Sequence, residues 1–168
     1  MGEIETHPFQ PFIPTNATIL IVGSFPGRDI TQKELEKDDW FYGTKRNQFW
    51  NIISGVYNIE LKNAADKKEL FTIKGIAIAD IILKARRNAV SNSDINLEVI
   101  AYNDKSIKNI LAYTSFQHIF YTSRFVEKHF LKIFPGIQNG ECLPSPSPRY
   151  ARMSIKEKIT YYKKILPV

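Results

Sequence analysis

Short apolar runs alternate along this chain with segments of helical periodicity. Ala17–Val22 (ATILIV) is a short apolar run that stops at Gly23, the pattern of a strand buried on both faces. Ile76–Leu83 (IAIADIIL) reads as a second such strand, with Asp80 as its one charged position. Gln117–Tyr121 and Gln138–Leu143 read as a third and a fourth. Between them lie helical patterns. Lys45–Val56 turns Phe49, Trp50, Ile52 and Ile53 inward, and Asn63–Ile73 is stopped by Gly75, a residue suited to a left-handed helix end. Asn103–Leu111 has Asn103 as its N-cap, and a further helix runs from Thr122 or Ser123 to Phe134. Ser154-Ile155-Lys156-Glu157 has the form of a capping box and opens a last helix that runs to about Ile165.

Strands that alternate with helices predict an α/β fold. The expectation is a three-layer α/β/α sandwich around a four-stranded, mainly parallel sheet, with residues 1–168 as one domain. Residues 1–15 carry Pro8, Pro11 and Pro14 among aromatics and are expected to run extended over the surface. Ligands of such sheets bind at the carboxyl ends of the strands, which directs attention to the loops after Val22, Leu83, Tyr121 and Leu143.

Each of those loops has its own chemistry. Gly23-Ser24-Phe25-Pro26-Gly27 makes a tight turn with accessible amides, in which Phe25 either packs into the core or stacks on a flat ligand. It lacks the GxGxxG spacing of a dinucleotide site. Residues 39–50 interleave five aromatics with Lys45, Arg46 and Asn47, a mixture suited to base stacking beside phosphate contacts. Phe49 and Trp50 read as helix core, whereas Trp40, Phe41 and Tyr42 precede the helix and are less well explained by packing. Pro144-Ser145-Pro146-Ser147-Pro148 is a stiff loop. The hydroxyls and amides of Ser145 and Ser147, with Arg149 and Arg152, offer phosphate contacts. Asp80, in an apolar strand, needs hydrogen-bond partners and reads first as a structural acceptor for loop amides.

Composition narrows the classes. The chain has 23 Lys and Arg against 17 Asp and Glu, a formal charge of +6 that favours polyanionic partners without requiring them. No apolar run reaches the length of a membrane span, and residues 1–12 carry Glu3 and Glu5 in place of the apolar core of a signal peptide. A lone cysteine, Cys142, fits a reducing compartment, so a cytoplasmic location is expected. The three histidines are scattered, and no metal site is expected.

Taken in order, GSFPG, RNQFW and LPSPSP resemble the motifs of the uracil-DNA glycosylase superfamily, nearest to its mismatch-specific and hypoxanthine-DNA glycosylase branch. The first and last motifs lie about 120 residues apart, so the resemblance spans nearly the whole chain. It implies excision of a deaminated base, uracil or hypoxanthine, from DNA by hydrolysis of the N-glycosidic bond, without metal or organic cofactor and by a monomer. Two departures stand out. Many members carry Asn or Asp where this chain has Phe25, and the principal uracil branch has His where this chain has Leu143. Both fit the hypoxanthine-type branch, in which the Asn of the RNxFW segment, here Asn47, takes the catalytic part.

The resemblance implies a base pocket of Gly23, Ser24, Phe25, Pro26, Gly27 and Tyr42, with Phe25 and Tyr42 on either side of the extruded base. The turn amides would stabilise the leaving oxyanion. Lys45, Arg46, Pro144, Ser145, Pro146, Ser147, Arg149 and Tyr150 would contact DNA. Arg149, Tyr150 and Met153 are candidates for the wedge that fills the vacated stack. Two other readings stay open: a non-catalytic DNA- or damaged-base-binding member of the fold, and a small-molecule enzyme on a similar scaffold.

Overall fold

The computed structural model describes residues Gly2–Val168. Its strands are β1 (Ile4–Thr6), β2 (Ile19–Gly23), β3 (Ile76–Asp80), β4 (Ile82–Arg87), β5 (Leu97–Tyr102), β6 (His118–Tyr121) and β7 (Gly140–Cys142). Its helices are α1 (Arg28–Thr31), α2 (Phe49–Tyr57), α3 (Ala64–Lys74), α4 (Asp104–Tyr113), α5 (Arg124–Ile133) and α6 (Ile155–Ile165). Four strands form a parallel sheet in the order β3-β2-β6-β7. Side chains alternate across it. Ile19, Ile21, Ile76, Ile78 and Phe120 join a core with Trp50, Phe71 and Tyr162 from α2, α3 and α6. Leu20, Val22, Ala77, Ala79 and Tyr121 join a second core with Ile107, Val126 and Phe130 from α4 and α5. The sheet is therefore apolar on both faces and covered by helices on each, the three-layer arrangement expected from the sequence.

Local signals place most helix ends. Asn63 accepts the Asp66 amide at 2.9 Å, and Gly75 ends α3 with a left-handed φ of 64°. Ser123 accepts the Val126 amide, and Ser154 with Glu157 forms the expected capping box. Asn103 stands at the N-cap of α4, but its side chain makes no cap; its Nδ2 donates to the Asp80 carbonyl at 3.2 Å.

Three expectations are corrected. Residues 76–83 are two strands: β3 ends at Asp80, and β4 leaves for a second, antiparallel sheet of order β1-β4-β5. Ile81 N–H binds Gly23 O and Asn103 N–H binds Ile81 O, so the chain changes sheets at one fully buried residue. An apolar run conceals such a switch because both halves are buried. The N-terminal segment is more than a surface strap: Ile4–Thr6 pairs with β4, Phe12 bridges Ile78, and Glu5 and His7 are buried. Finally, α2 begins at Phe49, four residues after the position expected from periodicity.

The register decides where the site lies. Gly23 pairs with Asp80, Val22 with Tyr121, and Tyr121 with Cys142. The four parallel strands thus end level, and every loop after them opens on the same edge.

Candidate functional site

At that edge lies a cleft of about 1360 Å³. It is lined from four directions: residues 24–29 after β2, residues 44–47 before α2, residues 90–95 between β4 and β5, and residues 145–150 after β7. Asp80, Tyr42 and Thr122 also line it. The three loops singled out in the sequence therefore meet. Gly23 and Pro144 do not line the cleft. Pro144 is buried and its carbonyl accepts the Tyr162 hydroxyl at 2.8 Å. Gly23 lies beneath the floor, where an added Cβ would stand 2.2 Å from Tyr42 Oη and 2.3 Å from Asp80 Oδ1. Only a residue without a side chain lets those two groups approach the end of β2.

Asn47 is fixed by its own backbone. Its N–H binds the Thr44 carbonyl at 3.0 Å, and its Oδ1 accepts the Phe49 amide at 2.8 Å. This local ring competes with helix formation, which is why α2 starts late and why residues 44–48 form a turn at the cleft wall. The Phe49 amide orients Oδ1, and the donor that Asn47 can offer a ligand is its Nδ2 amide. Lys45 and Arg46 are exposed at the rim.

The aromatics before α2 divide. Trp40 and Phe41 are core residues: Trp40 stacks on Trp50 with ring centres 5.5 Å apart, and Phe41 is packed by His7 and Phe9. Packing accounts for both, against expectation. Tyr42 alone lines the cleft, at a positive φ of 56°. One face of its ring stacks on Phe49 at 4.2 Å, and its hydroxyl donates to Thr122 Oγ1 at 3.0 Å. Burial, with the nearby Asp80 carboxylate, pushes that phenol well above its usual range, so it is neutral. Phe25 both lines the cleft and belongs to the second core, edge-on to His7 and beneath the Arg87 guanidinium.

The Pro/Ser loop is tied to the Asn47 turn. Gln48 N–H binds the Pro146 carbonyl at 2.9 Å, and Lys158 Nζ donates to Gln48 Oε1 and to the Ser147 carbonyl. Lys158 is almost wholly buried, which pulls its ammonium below its usual range. Its place on the inward stripe of α6, four residues before Tyr162, was the signal in the sequence. Within the loop, the Ser147 amide donates to Ser145 Oγ at 3.2 Å, so that amide, expected to be open to a phosphate, is already engaged. Arg149 Nη2 donates across the cleft mouth to Ser91 Oγ.

Three carboxyl groups line the cleft: Asp29, which is exposed, and Asp80 and Asp94, which are bonded to neighbouring side chains. Asp80 was expected to bind loop amides; its partner is instead the buried imidazole of His7, with Oδ2 2.7 Å from Nε2. The Phe9 amide donates to His7 Nδ1, so the ring proton sits on Nε2 and is donated to Asp80. Asp94 accepts the Ser24 hydroxyl at 2.8 Å. Burial pushes the Asp94 carboxyl up from 3.8 to about 6; the Ser24 hydrogen bond and Arg87 oppose this and Asp80 adds to it. Folding thus favours neutral Asp94. Its contribution to stability is full below the unfolded value and is lost as pH rises through about 6. Asp94→Asn is therefore expected to raise stability at pH 8 by roughly 1–2 kcal/mol and leave it nearly unchanged at pH 4. Melting temperatures of the two proteins across this range check it; parallel curves would refute it.

Arg87 organises the wall between these groups. It binds buried Glu5 through Nε at 3.1 Å, the Pro26 carbonyl through Nη2, and the Ser91 carbonyl through Nη1. Glu5 is penalised by burial, but hydrogen bonds from Thr31 and Gln32 and the charge of Arg87 outweigh this and hold its carboxyl below the usual range. Among the described residues, no three His, Cys, Asp or Glu side chains come together as a metal site, and no helix is long and apolar enough to cross a membrane.

Known proteins give this cleft a context. Residues 10–167 match the family described as "Uracil DNA glycosylase superfamily". A curated relative, the hypoxanthine DNA glycosylase of Methanosarcina acetivorans, is 29% identical over 94 residues. That match takes in 55% of this chain and 56% of the relative, so it spans little more than half of each. A Methanosarcina acetivorans protein described as a candidate uracil DNA glycosylase, solved by NMR in solution, shares the fold. Its TM-score is 0.67 at 17% identity, with 97% of this chain and 96% of that one covered. With a family match across nearly its full length, a shared fold and three motif loops on one cleft, the chain belongs to the uracil DNA glycosylase superfamily.

Proposed function

We propose that the protein is a monofunctional DNA glycosylase that extrudes a deaminated base, hypoxanthine or uracil, into the cleft and hydrolyses its N-glycosidic bond. The observation that carries this reading is the meeting of Asn47, the Phe25 turn and the Pro/Ser loop on one cavity. The name of the Methanosarcina relative supports hypoxanthine as one of the bases.

In this mechanism Phe25 and the open face of Tyr42 flank the base. Charge builds on the base as the C1′–N bond breaks. Asn47 Nδ2 and the amides of Ser24, Phe25 and Gly27 supply preorganised donors to it. The sugar becomes oxocarbenium-like and is captured by water. Asp80 lines the cleft with its Oδ2 held by His7, which leaves Oδ1 as the acceptor for the water proton. Phe25 can do neither task, so the polar work moves from the first motif to Asn47 and Asp80. Lys45, Arg46 and Arg149 at the mouth take phosphates, and Ser145 and Ser147 offer their hydroxyls.

The test is an excision panel. Duplexes and single strands carrying uracil, hypoxanthine or xanthine are incubated with the protein and then treated with alkali. Strand scission at a deaminated base is expected, with hypoxanthine among the substrates. Salt-sensitive binding with no scission at any base would instead establish a binding-only member. Arg149→Ala is expected to weaken binding and reduce by about one the slope of log affinity against log salt. An unchanged slope would remove Arg149 from the DNA contact.

A further inference from the structure

Base extrusion leaves a gap in the duplex that an inserted side chain must fill. The three candidates drawn from the sequence are poorly placed for this. Arg149 is bound to Ser91, Tyr150 lies half-buried with the Lys158 ammonium over its ring, and Met153 does not line the cleft. The loop joining β4 to β5 presents a different pair. Val90 and Ile95 line the cleft mouth, yet are 84% and 86% exposed. Among the described residues, no other large apolar side chain on the cleft is exposed to this degree.

Their exposure is built in. The loop is closed by Asn88 N–H on the Asn96 carbonyl at 2.9 Å. Several of its polar residues bond to other parts of the protein: Asn92 Oδ1 accepts the Arg28 amide, the Ser91 carbonyl and hydroxyl accept from Arg87 and Arg149, and Asp94 accepts from Ser24. Several polar groups of the loop are thereby engaged with the protein, while the two aliphatic side chains are left in water. Such exposure is unfavourable for the free protein and is recovered when the side chains enter an apolar environment.

We propose that Val90 and Ile95 are the wedge that enters the base stack as the damaged nucleotide leaves it. The inference rests on the glycosylase reading above. Arg28, Lys45, Arg46 and Arg149 line the same cleft with Asp29, Asp80 and Asp94, and the exposed Lys45, Arg46 and Arg149 at its mouth suit a polyanion that carries a flat apolar interior. Other proteins use aliphatic wedges to unstack base steps in this way. A protein partner fits less well, since two side chains supply a small part of the about 800 Å² per side that a stable protein interface needs.

The test uses Val90→Ser, Ile95→Ser and the double variant, each checked for an unaltered melting temperature. Two readouts are taken. One is the ratio of excision from duplex to excision from single-stranded DNA. The other is fluorescence of 2-aminopurine beside the lesion, which reports extrusion without cleavage. The double variant is expected to lower the ratio about tenfold and to suppress the fluorescence rise. An unchanged ratio and fluorescence overturns the proposal. So does an equal fall on both substrates, which would make the residues part of the pocket. Self-association that disappears in the double variant while duplex excision persists also overturns it, in favour of a second copy as the occupant. If the unaltered protein excises nothing but raises 2-aminopurine fluorescence, and the double variant does not, the wedge stands and the catalytic reading fails.

Discussion

Asn47→Ala is expected to reduce excision by about 10² to 10³ while changing DNA affinity little, the loss typical of one preorganised donor to a developing anion. Asn47 also serves the fold. Its Oδ1 accepts the Phe49 amide at the start of α2, so removal of the side chain costs about 1 kcal/mol of stability as well. Asn47→Asp separates the two functions. A carboxylate keeps the acceptor for Phe49 and so keeps the helix start, but replaces the Nδ2 donor with a second acceptor. Stability near that of the unaltered protein with excision as low as in Asn47→Ala is the expected result, read from melting curves and single-turnover rates. Full excision by Asn47→Asp would show that the amide donor is not what the reaction uses. Full excision by Asn47→Ala would take Asn47 out of the chemistry altogether.

Arg87→Met is expected to be the most destabilising single change at the cleft, by roughly 3–5 kcal/mol and roughly 10 °C in melting temperature. The guanidinium is buried with Glu5, and its other two nitrogens hold the Pro26 and Ser91 carbonyls. Methionine fills much of the volume but leaves the Glu5 carboxylate without its cation. That uncompensated charge is the larger part of the cost, so the double variant Arg87→Met/Glu5→Gln should recover a substantial part of it. Thermal denaturation of the three proteins checks this. Equal stability of the single and double variants would mean that the backbone contacts, and not the ion pair, carry the effect. Because Arg87 ties the Phe25 turn to the Val90–Ile95 loop, the double variant should still bind DNA less tightly than the unaltered protein.

The sequence by itself determined the parallel sheet, its helical covers and the three loops that reach the cleft. These rest on local signals: unbroken apolar runs at Ile19–Val22 and Ile76–Ala79, the glycine at 75, the caps at Ser123 and Ser154, and motifs with unusual composition. Such features are set by a few consecutive residues and need no knowledge of distant neighbours. Only the tertiary structure decided the rest. That Asp80 pairs with His7, that Arg87 reaches Glu5, and that Lys158 joins the Asn47 turn to the Pro/Ser loop depend on contacts across 73, 82 and 110 positions. It also decided that Trp40 and Phe41 are core and that Val90 and Ile95 stand in water. An aromatic or aliphatic residue has the same attraction for any apolar surface. Whether it meets the core, a neighbouring loop or open solvent is fixed by how the strands align, and here Gly23, Asp80, Tyr121 and Cys142 bring every loop to one edge.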